Sequence, residues 1–174
     1  PPAIAVLPFA NMSGDPEQDF FVDGITEDII TNLSLWRNFP VISRNSSFTY
    51  KDKSVNLKDV AQELGVRYIV EGSVRKGGQR VRITAQLIDA EQDHHLWSQK
   101  WDRNLEDIFE VQDEVSTSIA AQVNPTLQDY ERDRIERSRP DNFNAWETFL
   151  KAVHFMNNRN ASDHEDPALT EARR

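Results

Sequence analysis

The spacing of apolar residues changes several times along this chain, and each change marks a predicted element. Ala3–Leu7 is a short continuous apolar run, which is typical of a strand buried on both faces. A polar turn follows at Asn11–Pro16, and we expect Asp19 to cap the helix after it. That helix is predicted by a stripe of apolar residues that recur every three to four positions: Phe21, Ile25, Ile29, Leu33 and Trp36.

The next segment is predicted as a short strand, a loop and a second helix. Val41–Ile42 is the strand, and the polar stretch Ser43–Lys53 is the loop. Asn56 followed by Asp59 is typical of a helix start, and Gly65 is typical of a helix stop.

From Val66 onward the period of the apolar residues falls to two. Alternating runs lie at Val66–Val70, Val81–Leu87 and His95–Trp101. The pair Gly77 and Gly78 separates the first two runs and suits a tight hairpin turn. We therefore expect three consecutive antiparallel strands.

A long helix follows these strands. Its apolar stripe begins at Leu105 and reaches Val123, and we expect Pro125 to end or kink it. The resulting order of elements is β-α-β-α-β-β-β-α. That order predicts an α/β fold in which a mixed five-stranded sheet has helices packed on it.

We divide the chain into three parts. An α/β domain spans 1–124, a helical connector dense in alternating charge spans 125–141, and a helical tail spans 142–174. In the tail, apolar residues occupy positions similar to those in the first helix of a tetratricopeptide repeat: Trp146, Leu150 and Phe155. Because one such helix cannot bury its apolar face alone, we expect the tail to be less ordered or to pair with a second copy as a homodimer.

Composition narrows the classes of function. The chain has 174 residues and a net charge of −9, so its surface repels phosphate backbones and we expect no direct binding of nucleic acid. It contains no Cys, which excludes a disulfide framework and thiolate metal sites. No apolar run approaches the ~20 residues that span a bilayer, so we expect no membrane partner. The location that we expect is cytoplasmic. Because the chain starts with Pro1 rather than Met, we expect a piece of a longer protein.

Five blocks of sequence together resemble the TolB amino-terminal-like domain family. They follow one another along the chain in the family's order: Pro8–Ile30, Ser43–Lys51, Glu63–Lys76, Val81–Arg103 and Asp107–Val115. Five ordered blocks are more specific than one motif, and together they cover the chain from about Ile4 to Val123.

This resemblance implies a role in signalling rather than catalysis. In bacteria the family recurs beside class III nucleotide cyclases, winged-helix transcription regulators and tetratricopeptide repeats, and this chain looks most like the versions attached to class III adenylate cyclases. The family supplies no catalytic residues. The resemblance therefore implies a non-catalytic regulatory, sensory or protein-docking domain with a cyclase as its attached output domain. The alternative is an interaction scaffold in a winged-helix transcription regulator with tetratricopeptide repeats.

The best candidate ligand site lies in the loops after the first two predicted strands. Ligands of open α/β sheets gather beyond the carboxyl ends of parallel strands, so both loops should meet at one edge. Arg44 is the one positive charge in these loops before Lys51, which favours an anionic or polar ligand. The alternative is that the polar groups there bind one another and leave no concavity. The candidate ligand-binding residues are Asn11, Ser13, Arg44, Asn45 and Ser46.

The other candidates for chemistry have simpler interpretations. The acidic run from Asp15 to Asp28 lacks the spacing of a calcium loop and suits the start of a helix. His94 and His95 are adjacent, so on a strand they point to opposite faces. The sequence also contains no nucleophile elbow and no phosphate loop. We therefore expect no metal, no cofactor and no catalytic residues in this chain.

One basic patch stands out in the otherwise acidic sequence. It lies at the predicted hairpin and consists of Arg75, Lys76, Arg80 and Arg82. Such a cluster either docks an acidic partner or forms a solvated hairpin tip.

Overall fold

The computed structural model describes residues 1–138 and 143–162. The chain forms two compact units, Pro1–Asp129 and Tyr130–Arg174. The first unit holds the sheet and the helices packed on it. The predicted divisions after residues 124 and 141 stay predictions.

The predicted mixed five-stranded sheet is confirmed. Its strands are β1 (Ile4–Val6), β2 (Ala10–Asn11), β3 (Tyr68–Gly77), β4 (Arg80–Asp89) and β5 (His94–Asn104). The strand order is β1-β3-β4-β5, and β2 also pairs with β3. β1 and β2 run parallel to β3, whereas β4 runs antiparallel to both β3 and β5.

Five helices accompany the sheet in the described part of the chain. They are α1 (Asp19–Trp36), α2 (Arg44–Phe48), α3 (Leu57–Leu64), α4 (Ile108–Ser138) and α5 (Phe143–Ser162). A 3-10 turn precedes α1.

Several local predictions hold because their residues supply the required backbone chemistry. The side chain of Asn56 accepts the backbone N–H groups of Lys58 and Asp59 at the start of α3. Gly65 ends that helix with a φ of +68°, which glycine adopts without steric cost. The hairpin turn lies one residue later than predicted, since Gly77 still pairs with Arg80 in the ladder.

The identity of one strand differs from the prediction. Val41 forms only an isolated parallel bridge with Ile4, and Val41–Ile42 is not a strand. The fifth strand is instead β2, which lies where the sequence predicted the start of a turn. Pairing with the long β3 recruits these two residues, although they carry no apolar pattern of their own.

Two predictions around α1 and α2 are corrected. The predicted loop Ser43–Lys53 contains α2, because the Ser43 hydroxyl caps it by accepting the N–H of Ser46. Asp19 is the first residue of α1 rather than its cap. The capping carboxylate belongs to Asp15, which accepts the N–H of Glu17 at the 3-10 turn.

A local irregularity separates β1 from β2. Pro8 cannot donate a hydrogen bond to the sheet, and the Phe9 N–H donates instead to Thr26 Oγ1 in α1, at 3.0 Å. The Phe9 ring then lies against Gly72 of β3, where an added Cβ would come within 2.6 Å of the ring. Gly72 therefore provides the space that this packing requires.

Helices α1 and α4 pack together against one face of the sheet. Gln112 of α4 donates to the carbonyl of Phe21 in α1 at 3.1 Å, and Trp97 of β5 donates its indole N–H to Gln122 of α4 at 3.0 Å. Most of the predicted apolar stripe of each helix is buried here: Phe21, Ile25, Ile29, Leu33, Val111, Val115, Ile119 and Val123. The predicted ends of the stripes are not, since Trp36 is 49% exposed and Leu105 lies before α4 and is only partly buried. Burying these stripes stabilises the helices more than their intrinsic propensity does.

Helix α4 does not end at Pro125. It continues to Ser138, and Leu127, one turn beyond the predicted stripe, is fully buried. Packing of the apolar face therefore outweighs the backbone hydrogen bond that proline cannot donate.

The opposite face of the sheet is covered only in part. Helix α3 contributes Val60 and Ala61 to a cluster of small and branched apolar residues there: Ala5, Leu7, Val60, Ala61, Val66, Ile69 and Ala90. The hairpin end of the same face carries exposed polar residues, including Arg75 and Arg82. This end of the face is therefore open to solvent.

Helix α5 belongs to the second unit. Its large apolar side chains Leu150, Phe155 and Met156 are 50%, 69% and 63% exposed. The predicted tetratricopeptide character and the homodimer stay predictions. Residues 163–174 of the predicted tail lie outside the described part of the chain, as does the side chain of Trp146.

We expect Val115→Asp to unfold the first unit. Val115 is fully buried in the α4 stripe, and an unpaired carboxylate there costs several kcal/mol of a typical stability of ~5–15 kcal/mol. Thermal melting followed by circular dichroism measures the effect. Val55→Asp is the control, because Val55 is 37% exposed. Equal melting curves for Val115→Asp and the unaltered chain would contradict the assignment of the stripe.

Candidate functional site

The predicted ligand residues that follow β1 are held by hydrogen bonds within the protein. Asn11 donates its amide to the carbonyl oxygen of Asp15 at 2.9 Å and to Asp19 Oδ1 at 2.7 Å. The Asn11 oxygen accepts the N–H of Ser13 at 3.0 Å. The Ser13 hydroxyl in turn accepts the N–H of Lys76 in β3, at 3.1 Å. These two side chains therefore fasten the segment around β2 to α1 and β3.

Cations from the α2 segment pair with the acidic stripe of α1. Arg44 Nε lies 3.3 Å from Glu27 Oε2, and its guanidinium stacks 4.2 Å from the centre of the Phe48 ring. Lys51 Nζ lies 2.6 Å from Asp23 Oδ2, and this hydrogen bond raises the pKa of Lys51. Asp23 and Glu27 of the acidic run thus pair with cations of the same chain.

The remaining predicted ligand residues lie beside Arg44 on α2. Asn45 and Ser46 are exposed, and the Ser46 hydroxyl lies 3.2 Å from that of Ser43. A ligand that used Arg44, Asn11 or Ser13 would have to compete with the contacts these side chains already make. The ligand site at this edge therefore stays a prediction.

The neighbouring Ser47 is fully buried, and its hydroxyl has no hydrogen-bond partner. A buried hydroxyl without a partner costs about 1–3 kcal/mol. We expect Ser47→Ala to raise the melting temperature by roughly 2 °C or more. Ser46→Ala is the matched control, since this hydroxyl is exposed and should matter little. A lower melting temperature for Ser47→Ala would mean that the hydroxyl is satisfied after all.

A second candidate site lies on the uncovered face of the antiparallel strands. The register places Arg75 of β3 opposite Arg82 of β4, and Arg82 opposite Asp102 of β5. Because side chains alternate between the two faces of a strand, Arg80 and Lys100 share this face with them. We call these five residues the basic face.

Charge on the basic face is only partly balanced. Arg82 Nε lies 2.8 Å from Asp102 Oδ1, and this hydrogen bond holds the pKa of Asp102 below its usual value, with further help from the charges of Arg80 and Lys100. Neither Arg75 nor Arg80 forms an ion pair with any residue that the structure describes. Two guanidinium groups are therefore available to an outside anion.

An open cavity of about 250 Å³ lies over the basic face and is lined by Arg75, Gly77, Arg80, Val81, Arg82 and Asp102. Gly77 has no side chain and so leaves space beside the arginines. Like charges directly opposite one another destabilise a sheet, so the Arg75–Arg82 pair is costly unless an anion offsets it. Asp102 compensates Arg82 but not Arg75, and a costly local arrangement that is only partly compensated is a mark of a functional site.

The sequence identified part of this site. Of the predicted basic patch, Lys76 lies on the other face of β3, because it directly follows Arg75 in the strand. Lys100 and Asp102 were missed, since they are distant in sequence and join the patch only through the β4–β5 register. Trp101 is buried, and strict alternation on either side of it would have placed Lys100 and Asp102 together on the polar face.

Acidic groups lie close together where α1 meets α4. Partial burial, and next the charges of Asp113 and Glu27, raise the pKa of Asp28 above 3.8. A raised folded-state pKa means that ionised Asp28 destabilises the native state above that pKa, and that this penalty disappears as the pH falls through it.

We therefore expect Asp28→Asn to raise the melting temperature at pH 7. The difference should shrink as the pH falls toward 3.8, because the carboxyl of the unaltered chain is then protonated. Melting curves at a series of pH values test this. Glu27→Gln is the contrasting variant, since Glu27 pairs with Arg44 and its loss should bring no gain. A constant difference at every pH would contradict an electrostatic cause.

The described residues show neither a metal centre nor a membrane span. No group of three or more His, Cys, Asp or Glu side chains there is arranged to hold a metal ion. No helix in that part of the chain is long and apolar enough to cross a membrane.

Comparison with known proteins identifies relatives in regulation and signalling. The sequence profile of a family described as "HilA/YgeH-like transcriptional regulator, second domain" matches residues 2–118. A protein of Rhizobium meliloti (strain 1021) named "Putative adenylate cyclase 3" is 56% identical over 135 residues, which are 78% of this chain and 23% of that protein. The chain thus spans about a quarter of the curated relative that it matches. The family match ends before the tail, so it supports no tetratricopeptide repeat there.

Solved structures share the fold at low sequence identity. Lipoprotein GNA1162 from Neisseria meningitidis has a TM-score of 0.51 and 19% identity, and the match covers 70% of this chain and all of that one (100%). TolB from Acinetobacter baumannii has a TM-score of 0.47 and 19% identity, with 70% of this chain and 28% of that chain covered. The likeness to TolB is too remote to carry a functional argument, and the matched family has a different name from the one that the sequence blocks suggested.

Proposed function

Because this chain belongs to the family of HilA/YgeH-like transcriptional regulator second domains, we propose that it is a non-catalytic regulatory domain that docks a protein partner within a bacterial signalling protein. The observation that carries this proposal is the basic face, an exposed cationic surface on a rigid sheet in a chain whose net charge is −9. Uncompensated charge of this kind favours recognition of an oppositely charged surface.

An adenylate cyclase is the output domain that we favour for the parent protein. The similarity to the Rhizobium meliloti protein supports this choice, as does the resemblance to domains attached to class III adenylate cyclases. The domain itself would make no cyclic AMP. It would regulate synthesis by binding a partner that has different affinities for the active and inactive states of the whole protein.

Docking is favoured over the sensing of a small ligand. Arg44 would be the natural anion partner at the loop edge, but it already pairs with Glu27 and stacks on Phe48. Arg75 and Arg80 make no such pairs with the described residues. The exposed sheet face therefore supports docking better than the loops support ligand binding.

We expect the purified chain to form no cyclic AMP from ATP, and we expect removal of residues 1–138 from the full-length parent to change its rate of cyclic AMP synthesis. Both rates are measured with purified protein against a control without protein. Cyclic AMP formed by the chain alone would contradict a non-catalytic role. A parent without cyclase activity would contradict the cyclase assignment. An active parent whose rate is the same before and after the removal would contradict the regulatory role.

The second candidate is an interaction domain in a transcription regulator with tetratricopeptide repeats. The description of the matched family favours it. The chain itself is acidic and suits nucleic acid poorly, so a separate basic domain of the parent would have to contact DNA. Sequencing the parent gene distinguishes the candidates, because a cyclase domain has metal-binding aspartates and a winged helix has a basic recognition helix.

A further inference from the structure

We propose that the basic face binds an extended acidic segment of a partner protein, with carboxylates at alternate positions along that segment. This inference rests on the docking function proposed above and specifies its surface and the chemistry of its partner. The residues that contact the partner are Arg75 and Arg80, with Lys100 beside them.

The charge distribution is the first argument. Four cations and Asp102 make up the basic face, although acids outnumber bases by 29 to 20 over the whole chain. Glu71 lies further along the same side of β3, where it accepts a hydrogen bond from Gln86. Asp102 is committed to Arg82 through Nε at 2.8 Å and Nη2 at 3.4 Å. Arg82 is thereby held in place, while the exposed Arg75 and Arg80 remain free to form charge-assisted hydrogen bonds with incoming carboxylates.

Spacing is the second argument, and it distinguishes a peptide from a single phosphate. Arg80 and Arg82 are two residues apart on one strand, so their Cα atoms are separated by ~6.7 Å. Arg75 and Lys100 lie on the strands to either side, each ~4.8 Å from β4. The cations are therefore spread over an area much wider than one phosphate group. Alternate residues of an extended peptide repeat at the same ~6.7 Å, so acids at every second position can reach more than one of the cations spread over the three strands.

The floor of the basic face also suits a polar, extended partner. Beside the arginines, Ser73 and Thr84 bond to each other through their hydroxyls at 2.7 Å, and Gln86 donates to Glu71 at 2.5 Å. These pairs make the floor polar, and the cavity beside them is open and lined mostly by charged side chains. Binding should therefore be weak, electrostatic and sensitive to salt, as exposed charge pairs are.

The test uses a capped synthetic peptide of four Glu–Ser repeats, titrated into the isotopically labelled full chain at low ionic strength. Amide chemical shifts detect weak binding and locate it. We expect the shifts to concentrate at residues 73–84 and 98–104 and to vanish at high salt. A peptide of four Gln–Ser repeats should cause none. Shifts scattered over the surface, or equal shifts with the Gln–Ser peptide, would overturn the proposal.

Paired variants separate a specific site from general electrostatics. Arg75→Ala combined with Arg80→Ala should weaken binding of the Glu–Ser peptide at least fivefold. Lys53→Ala combined with Lys58→Ala removes the same charge from exposed positions elsewhere, and should change the affinity less than twofold. Neither pair removes an ion pair from the described residues, so both proteins should stay folded. Equal losses in the two pairs would overturn the proposal.

Inorganic phosphate and pyrophosphate are titrated in parallel. If either binds the basic face more tightly than the Glu–Ser peptide, the face is a phosphate site and the proposal is wrong. The outcome is independent of the cyclase experiment, because peptide binding requires only the folded chain. If the chain binds the peptide but its parent is not a cyclase, this inference holds and the cyclase assignment is refuted.

Discussion

The register of the three antiparallel strands is the constraint on which the rest of the domain depends. It aligns Val74, Ile83 and Trp101 toward α1 and α4, and it thereby aligns Arg75, Arg82 and Asp102 on the opposite face. A register shift of one residue would expose the three apolar side chains and bury the three charged ones. The free-energy cost would exceed the stability of a typical domain. The burial of the apolar row is thus what presents the charged row to solvent.

Helix α1 has a second task besides covering the sheet. Its acidic stripe, which includes Asp23 and Glu27, binds Lys51 and Arg44 from the segment around α2. Exposed pairs of this kind contribute little individually, but together they orient a segment that lacks a long apolar face. The same contacts explain why the loop edge, a common place for ligands in α/β folds, is a weaker candidate here.

The two charged surfaces of the molecule therefore differ in kind. At α1 and α2 the cations Arg44 and Lys51 pair with acids of the same chain. On the basic face, Asp102 alone among the residues that the structure describes offsets the repulsion between Arg75 and Arg82. A surface whose positive charge is not fully balanced within the protein can discriminate between partners by their charge. Its individual contacts are weak, which suits reversible binding. Reversibility is what a regulatory domain requires, since its partner must be able to leave when the signal ends.

Local patterns in the sequence were enough to predict the α/β class, the three alternating strands, the caps of α3 and the apolar stripes of α1 and α4, because each depends on residues close together in the chain. Tertiary structure alone decided that β2 pairs with β3, that α4 continues through Pro125, and that Lys100 lies beside the arginines. These outcomes depend on which distant segments pair and in which register, and pairing energies between segments do not appear in any local pattern.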